Sequence, residues 1–184
     1  MNYIEDGNSA KLYSYKGICP KIHKSVFLCD GVKIIGDVEI GENCSIWFNS
    51  VIRGDVHYIK IGNNTNIQDM CMLHVTNGKY ALNIGNNVSI AHSVTLHGTT
   101  IKDNVLVGIG AKVLDNSVVN SFSLVAAGSL VRENFVVPEG VLVAGVPAKI
   151  VRDLNDREIE MIKKTPLNYV NYSNEFRKSI KPIN

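Results

Sequence analysis

The chain has 184 residues, the size of one domain with a small appendage. Hydrophobic residues make up 45%, which supplies a core and excludes a disordered chain; Lys+Arg 19 against Asp+Glu 17 leaves +2, which gives no electrostatic basis for binding nucleic acid or an acidic membrane. No run of about 18 apolar residues occurs, so no membrane-spanning helix is expected.

From the start, Met1 to Tyr15 show no charged leader followed by an apolar run, so the expectation is no signal peptide and a cytoplasmic location. Cys19, Cys29, Cys44 and Cys71 form no CxxC pair, which argues against a zinc knuckle or redox motif and for reduced thiols.

An aliphatic residue then recurs every six positions: Ile34, Ile40, Ile46, Ile52, then Ile61, Ile67, Leu73, then Ile84, Ile90, Leu96. After a slip of one it continues from Ile101 through Val107, Val113, Val119, Val125, Val131 and Val137 to Val143. A period of six matches neither an α-helix nor an amphipathic strand. It fits a coil of short strands and tight turns, with the aliphatic pointing into a narrow prism and Gly or Asn at the turns, as in Gly62-Asn63-Asn64. The predicted fold is therefore all-β, a parallel β-helix. Five extra residues around Tyr80 are expected to bulge as a loop.

The repeat ends near Ala144-Gly145-Val146-Pro147-Ala148-Lys149. Asn155 with Glu158 reads as a capping box opening a helix, and Thr165-Pro166 reads as the start of a second one. Residues 1–151 are thus expected to form the β-helix, and 152–184 a helical appendage packed on its flank.

The repeat also places the polar residues. With three hexapeptides per coil, which the resemblance of this repeat to the hexapeptide-repeat superfamily implies, and the aliphatic counted as position one, His74 and His97 both take position two of a third hexapeptide, one coil apart, and stacked coils lie about 4.8 Å from each other. Their imidazoles should share a face, close enough to chelate one ion. His92, at position three of a second hexapeptide, falls on a different face, so a threefold arrangement of prisms would bring it to the pair of a neighbour. Three imidazoles with an open position make the usual catalytic zinc arrangement. Arg53 falls in the file of His74 and His97, Asp69 beneath His92, and Asp55 within reach of a cation across an interface. His23 and His57 lie outside the pattern.

The repeat resembles the hexapeptide-repeat superfamily, which implies a left-handed β-helix with three hexapeptides per coil. More narrowly, Arg53-Gly54-Asp55, Asn66-Ile67-Gln68-Asp69, Leu73-His74, Ala91-His92, Leu96-His97-Gly98 and Gly145-Val146-Pro147-Ala148-Lys149 resemble the gamma-class carbonic anhydrase family, over roughly residues 10 to 175. The resemblance implies a homotrimer that hydrates carbon dioxide reversibly to bicarbonate. His74, His92 and His97 would hold one divalent metal per subunit interface, with zinc foremost and iron(II) or cobalt(II) as alternatives. It further implies that Gln68 lies beside the activated water, that Arg53 and Asp55 organise the interface, and that Asp69 and Asn66 support the site.

Departures from the active branch are Val56, where a glutamate follows the Arg-x-Asp triplet, the carboxylate-free segment Val75–Tyr80, and Val143 in place of a tyrosine. They lead to an expectation of slow or conditional turnover. Other readings of the same residues are a metal-dependent thioesterase or related hydrolase, a hexapeptide acyltransferase, and a metal-stabilised trimeric scaffold.

Overall fold

The computed structural model describes residues 10–181 and 183. The expectation about an N-terminal leader therefore falls largely outside the described residues. Most six-residue units form a strand of two or three residues and then turn where a residue takes positive φ, whereas Lys33–Ile40 and Val51–Ile61 each run through a corner as one longer strand. Glycine or asparagine fills most of the positive-φ positions, among them Asn43, Asn64, Asn87 and Asn104 at φ 53 to 55°. The short asparagine amide tolerates the left-handed region better than most side chains.

The strands pair in parallel, and the register stacks the aliphatics in three columns. Leu12, Ile34, Ile52, Leu73, Leu96, Val113 and Val131 make the first. Ile22, Ile40, Ile61, Ile84, Ile101, Val119 and Val137 make the second. Leu28, Ile46, Ile67, Ile90, Val107, Val125 and Val143 make the third. Nearly all are buried, and together they fill the prism. Turn hydroxyls stitch one coil to the next: Ser50 Oγ donates to the Gln68 carbonyl at 2.7 Å and Thr65 Oγ1 to that of Gly85 at 2.9 Å.

The columns expose an asymmetry. Passing from the second column to the third, and from the third to the first, the chain always advances six residues. Passing from the first to the second it breaks step at four levels: Leu12 to Ile22, Ile52 to Ile61, Leu73 to Ile84, and Leu96 to Ile101. One corner carries every insertion and the one deletion among the described residues. Arg53, Asp55, His74 and His97 all sit at that corner.

The repeat closes with a hairpin that the period did not foretell. Strand Val141–Gly145 turns at Val146-Pro147 and is covered antiparallel by Ala148–Asp153. One helix follows, α1 (Asp156–Ser179), with Asn155 as N-cap and Glu158 closing the capping box as expected. The expected restart at Thr165-Pro166 does not occur; Pro166 lies inside α1. The hydroxyl of Thr165 donates to the Met161 carbonyl at 2.7 Å, and Pro166 is buried against the prism. Packing thus holds a helix together through a residue that lacks the amide proton. Trp47 anchors it, meeting Tyr169 and Phe176 edge-on at 5.4 and 5.0 Å. No helix among the described residues is long and apolar enough to cross a membrane.

Candidate metal centre

His97 pairs with His74 in the strand register, as the coil arithmetic predicts. Leu73 and Leu96 point inward from the preceding position, so both imidazoles are directed outward, one above the other. His74 Nδ1 and His97 Nε2 face each other at 3.0 Å.

The other nitrogen of each ring rests on a carboxylate. His74 Nε2–H donates to Asp55 Oδ1 at 3.0 Å, and His97 Nδ1–H donates to Asp115 Oδ1 at 2.6 Å. At the next corner His92 Nδ1–H donates to Asp69 Oδ2 at 2.7 Å. A carboxylate accepts only, so each contact fixes the proton on the nitrogen facing it and leaves the far nitrogen with its lone pair. Orientation of imidazole by carboxylate is the support that metal-ligating histidines usually have. Two lone pairs aimed at each other across 3.0 Å repel unless a proton or a cation stands between them. The donor set thus fits a borderline-soft divalent ion.

Burial holds the His74 imidazole below its ordinary value, against the opposing pull of Asp55, and so favours the neutral ligand form. Burial alone would raise Asp55, but hydrogen bonds from Arg53 and His74 win and lower it. Arg53 grips Asp55 Oδ2 within its own chain. The cation partner expected for Asp55 across an interface is thereby supplied locally.

His92 does not converge on the pair. Among the described residues no group of three metal-binding side chains comes together in one chain. Gln68 and Asn66 are both buried, and their amides are set in series: Gln68 Nε2 donates to Asn66 Oδ1 at 3.0 Å, and Asn66 Nδ2 to Ser89 Oγ at 2.8 Å. Burial, reinforced by nearby Asp69, pushes the Tyr169 phenol up to about 12, so α1 presents a neutral hydroxyl on the side of Asp69. Burial likewise pushes the thiols of Cys29, Cys44 and Cys71 up to about 12, which removes them as nucleophiles.

Asp115 was missed by the pattern. It stands at position three of the hexapeptide opened by Val113, whereas His97 stands at position two, so counting in sixes does not align them. The deletion between Leu96 and Ile101 is the signal that could have found it.

Residues 19–54 match the family described as bacterial transferase hexapeptide, six repeats. The chain is 43% identical to the mitochondrial gamma carbonic anhydrase 2 of Arabidopsis thaliana over 89% of its own length, and it spans 62% of that relative. A protein of Methanocaldococcus jannaschii named as a probable carbonic anhydrase is 45% identical over 83% of this chain and 95% of its own. Among solved structures, a Bacillus cereus candidate acetyltransferase superposes with a TM-score of 0.91 at 38% identity, covering 93% of this chain and 99% of that one.

Proposed function

The chain belongs to the gamma carbonic anhydrase family, and on that premise we propose that it catalyses the reversible hydration of carbon dioxide to bicarbonate at a divalent metal held between subunits of a homotrimer. The observation that carries this reading is the in-register pair His74 and His97, with 3.0 Å between their free nitrogens and a carboxylate behind each ring. A second copy of the chain would bring His92 to the pair and complete three imidazole ligands. We favour zinc; iron(II) and cobalt(II) suit the same donors. When bound, such an ion supplies Lewis-acid activation of water near neutral pH.

The chain's own side chains do the rest. Asp55, Asp69 and Asp115 hold the three ring tautomers, and Arg53 holds Asp55. Gln68, its amide fixed by Asn66, orients the attacking oxygen by a hydrogen bond. The released proton meets no carboxylate relay at Val56 or along Val75–Tyr80, so it leaves through solvent and buffer, and turnover is slow. Four free cysteines, one of them exposed, accord with a reducing compartment such as the cytoplasm.

Acyl transfer is the second reading, favoured by the solved relative named for it. Stopped-flow hydration with the anaerobically purified, metal-replete protein separates the two. The wild type should accelerate hydration, and His92→Ala should lose both metal and rate. Full metal content in His92→Ala would overturn the shared site; acetyl transfer from acetyl-coenzyme A to an amine or hydroxyl acceptor, with release of free coenzyme A and without hydration activity, would favour the second reading.

A further inference from the structure

Asp115 joins two parts of the molecule. One oxygen accepts from His97 Nδ1 at 2.6 Å; the other accepts from Thr76 Oγ1 at 2.6 Å. Thr76 opens the inserted loop, which closes on itself where Thr76 pairs with Tyr80 and is tied down where the Gly78 amide donates to the Val56 carbonyl at 3.1 Å. We propose that Asp115, gripped by Thr76, is the positioning residue for His97, so that the loop at 75–81 and the metal site move as one unit. This rests on the metal-binding reading above and extends it to two side chains with no part in that ligand set.

The backbone beside His97 is shaped for the arrangement. Gly98 has φ +50°, and a Cβ there would stand 2.3 Å from Asp115 Oδ1 and 2.8 Å from Tyr80 Cβ. Carboxylate and loop therefore occupy the space that a side chain would take. The corner is also one residue short at this level, five from Leu96 to Ile101 instead of six, which draws the chain in just where the loop from the coil before folds over. A carboxylate with one free oxygen would rotate about its Cβ–Cγ bond; with both oxygens engaged it holds the His97 ring with Nε2 toward His74. Release of Thr76 then loosens His97 without touching a ligand.

Cobalt(II) titration of the full-length protein, with affinity set by chelator competition and coordination read from the visible absorption of the bound ion, tests this. Thr76→Val and Asp115→Asn should weaken cobalt by about 10–100-fold, the usual effect of losing a ligand's supporting partner, and should alter the absorption band. Thr76→Ser, which restores the hydroxyl, should bind as the wild type does. Asp103→Asn, which removes a carboxylate that bridges coils through the Asn86 amide and touches no imidazole, should leave affinity unchanged. Wild-type affinity and spectrum in Thr76→Val and Asp115→Asn, with only the melting temperature lowered, would overturn the proposal and reduce the contact to a loop staple. Absence of cobalt binding by the wild type itself would instead overturn the metal reading, and this inference with it.

Discussion

The imidazoles of His74 and His97 meet nitrogen to nitrogen, Nδ1 to Nε2 at 3.0 Å, while their opposite nitrogens rest on Asp55 and Asp115. Removing either ring leaves the other with a carboxylate and no partner. His74→Ala and His97→Ala should each reduce bound metal from about one ion per chain to a trace by elemental analysis, with the β-helix circular dichroism retained. Undiminished metal in either variant would place the ion elsewhere.

Proton removal gives a kinetic signature. With Val56 beside Asp55 and no carboxylate from Val75 to Tyr80, the turnover number should rise with the concentration of a diffusible imidazole-type buffer, while kcat/KM stays flat. Val56→Glu should lessen that dependence. A buffer-independent kcat in the wild type would show that another route carries the proton.

Two glycines separate backbone strain from crowding. Gly128 has φ +68° and open space, with nothing within 4 Å of where a methyl group would stand, whereas Gly98 at φ +50° faces Asp115 and Tyr80. Gly128→Ala should cost about 1–2 kcal/mol from the left-handed backbone alone. Gly98→Ala should cost a further 1–3 kcal/mol or so from overpacking. Chemical denaturation of the two variants checks the order.

The start of α1 supplies a pH dependence. Hydrogen bonds from Arg152, and then from the Asn155 amide, pull the Glu158 carboxyl down to about 2. A depressed carboxylate stabilises the fold above its unfolded value and loses that contribution as acid protonates it. The contribution should therefore be intact at neutral pH and fade as pH falls from about 4.5 toward 2. Thermal melts of Glu158→Gln should be lower than the wild type at pH 7 and converge with it near pH 2; parallel curves would refute the assignment.

The prism was legible because burial imposes one inward aliphatic per unit, and a period of six survives in plain residue counts. The same counts stacked His97 on His74 and His92 on Asp69, since those residues follow their aliphatics at equal offsets. Asp115 was not legible: its offset from Val113 differs by one from that of His97 after Leu96, and a shortened corner compensates. Pro166 misled because proline at a first helical position is common, and the packing that carries α1 through it lies in Trp47 and the prism face, far away in sequence. The closing hairpin of Val141–Gly145 and Ala148–Asp153 was masked by a repeat that continues into its first strand.

The uneven corner has an architectural result. Along two edges the chain steps six residues at every level among the described residues, so the coils there repeat without variation. The third edge is a slack seam: Leu12–Ile22 and Leu73–Ile84 already take up surplus chain while the aliphatics above and below stay aligned. Loops can be grafted, lengthened or trimmed along that seam without re-registering the coils. This molecule can thus acquire new chemistry on one edge and leave its scaffold untouched.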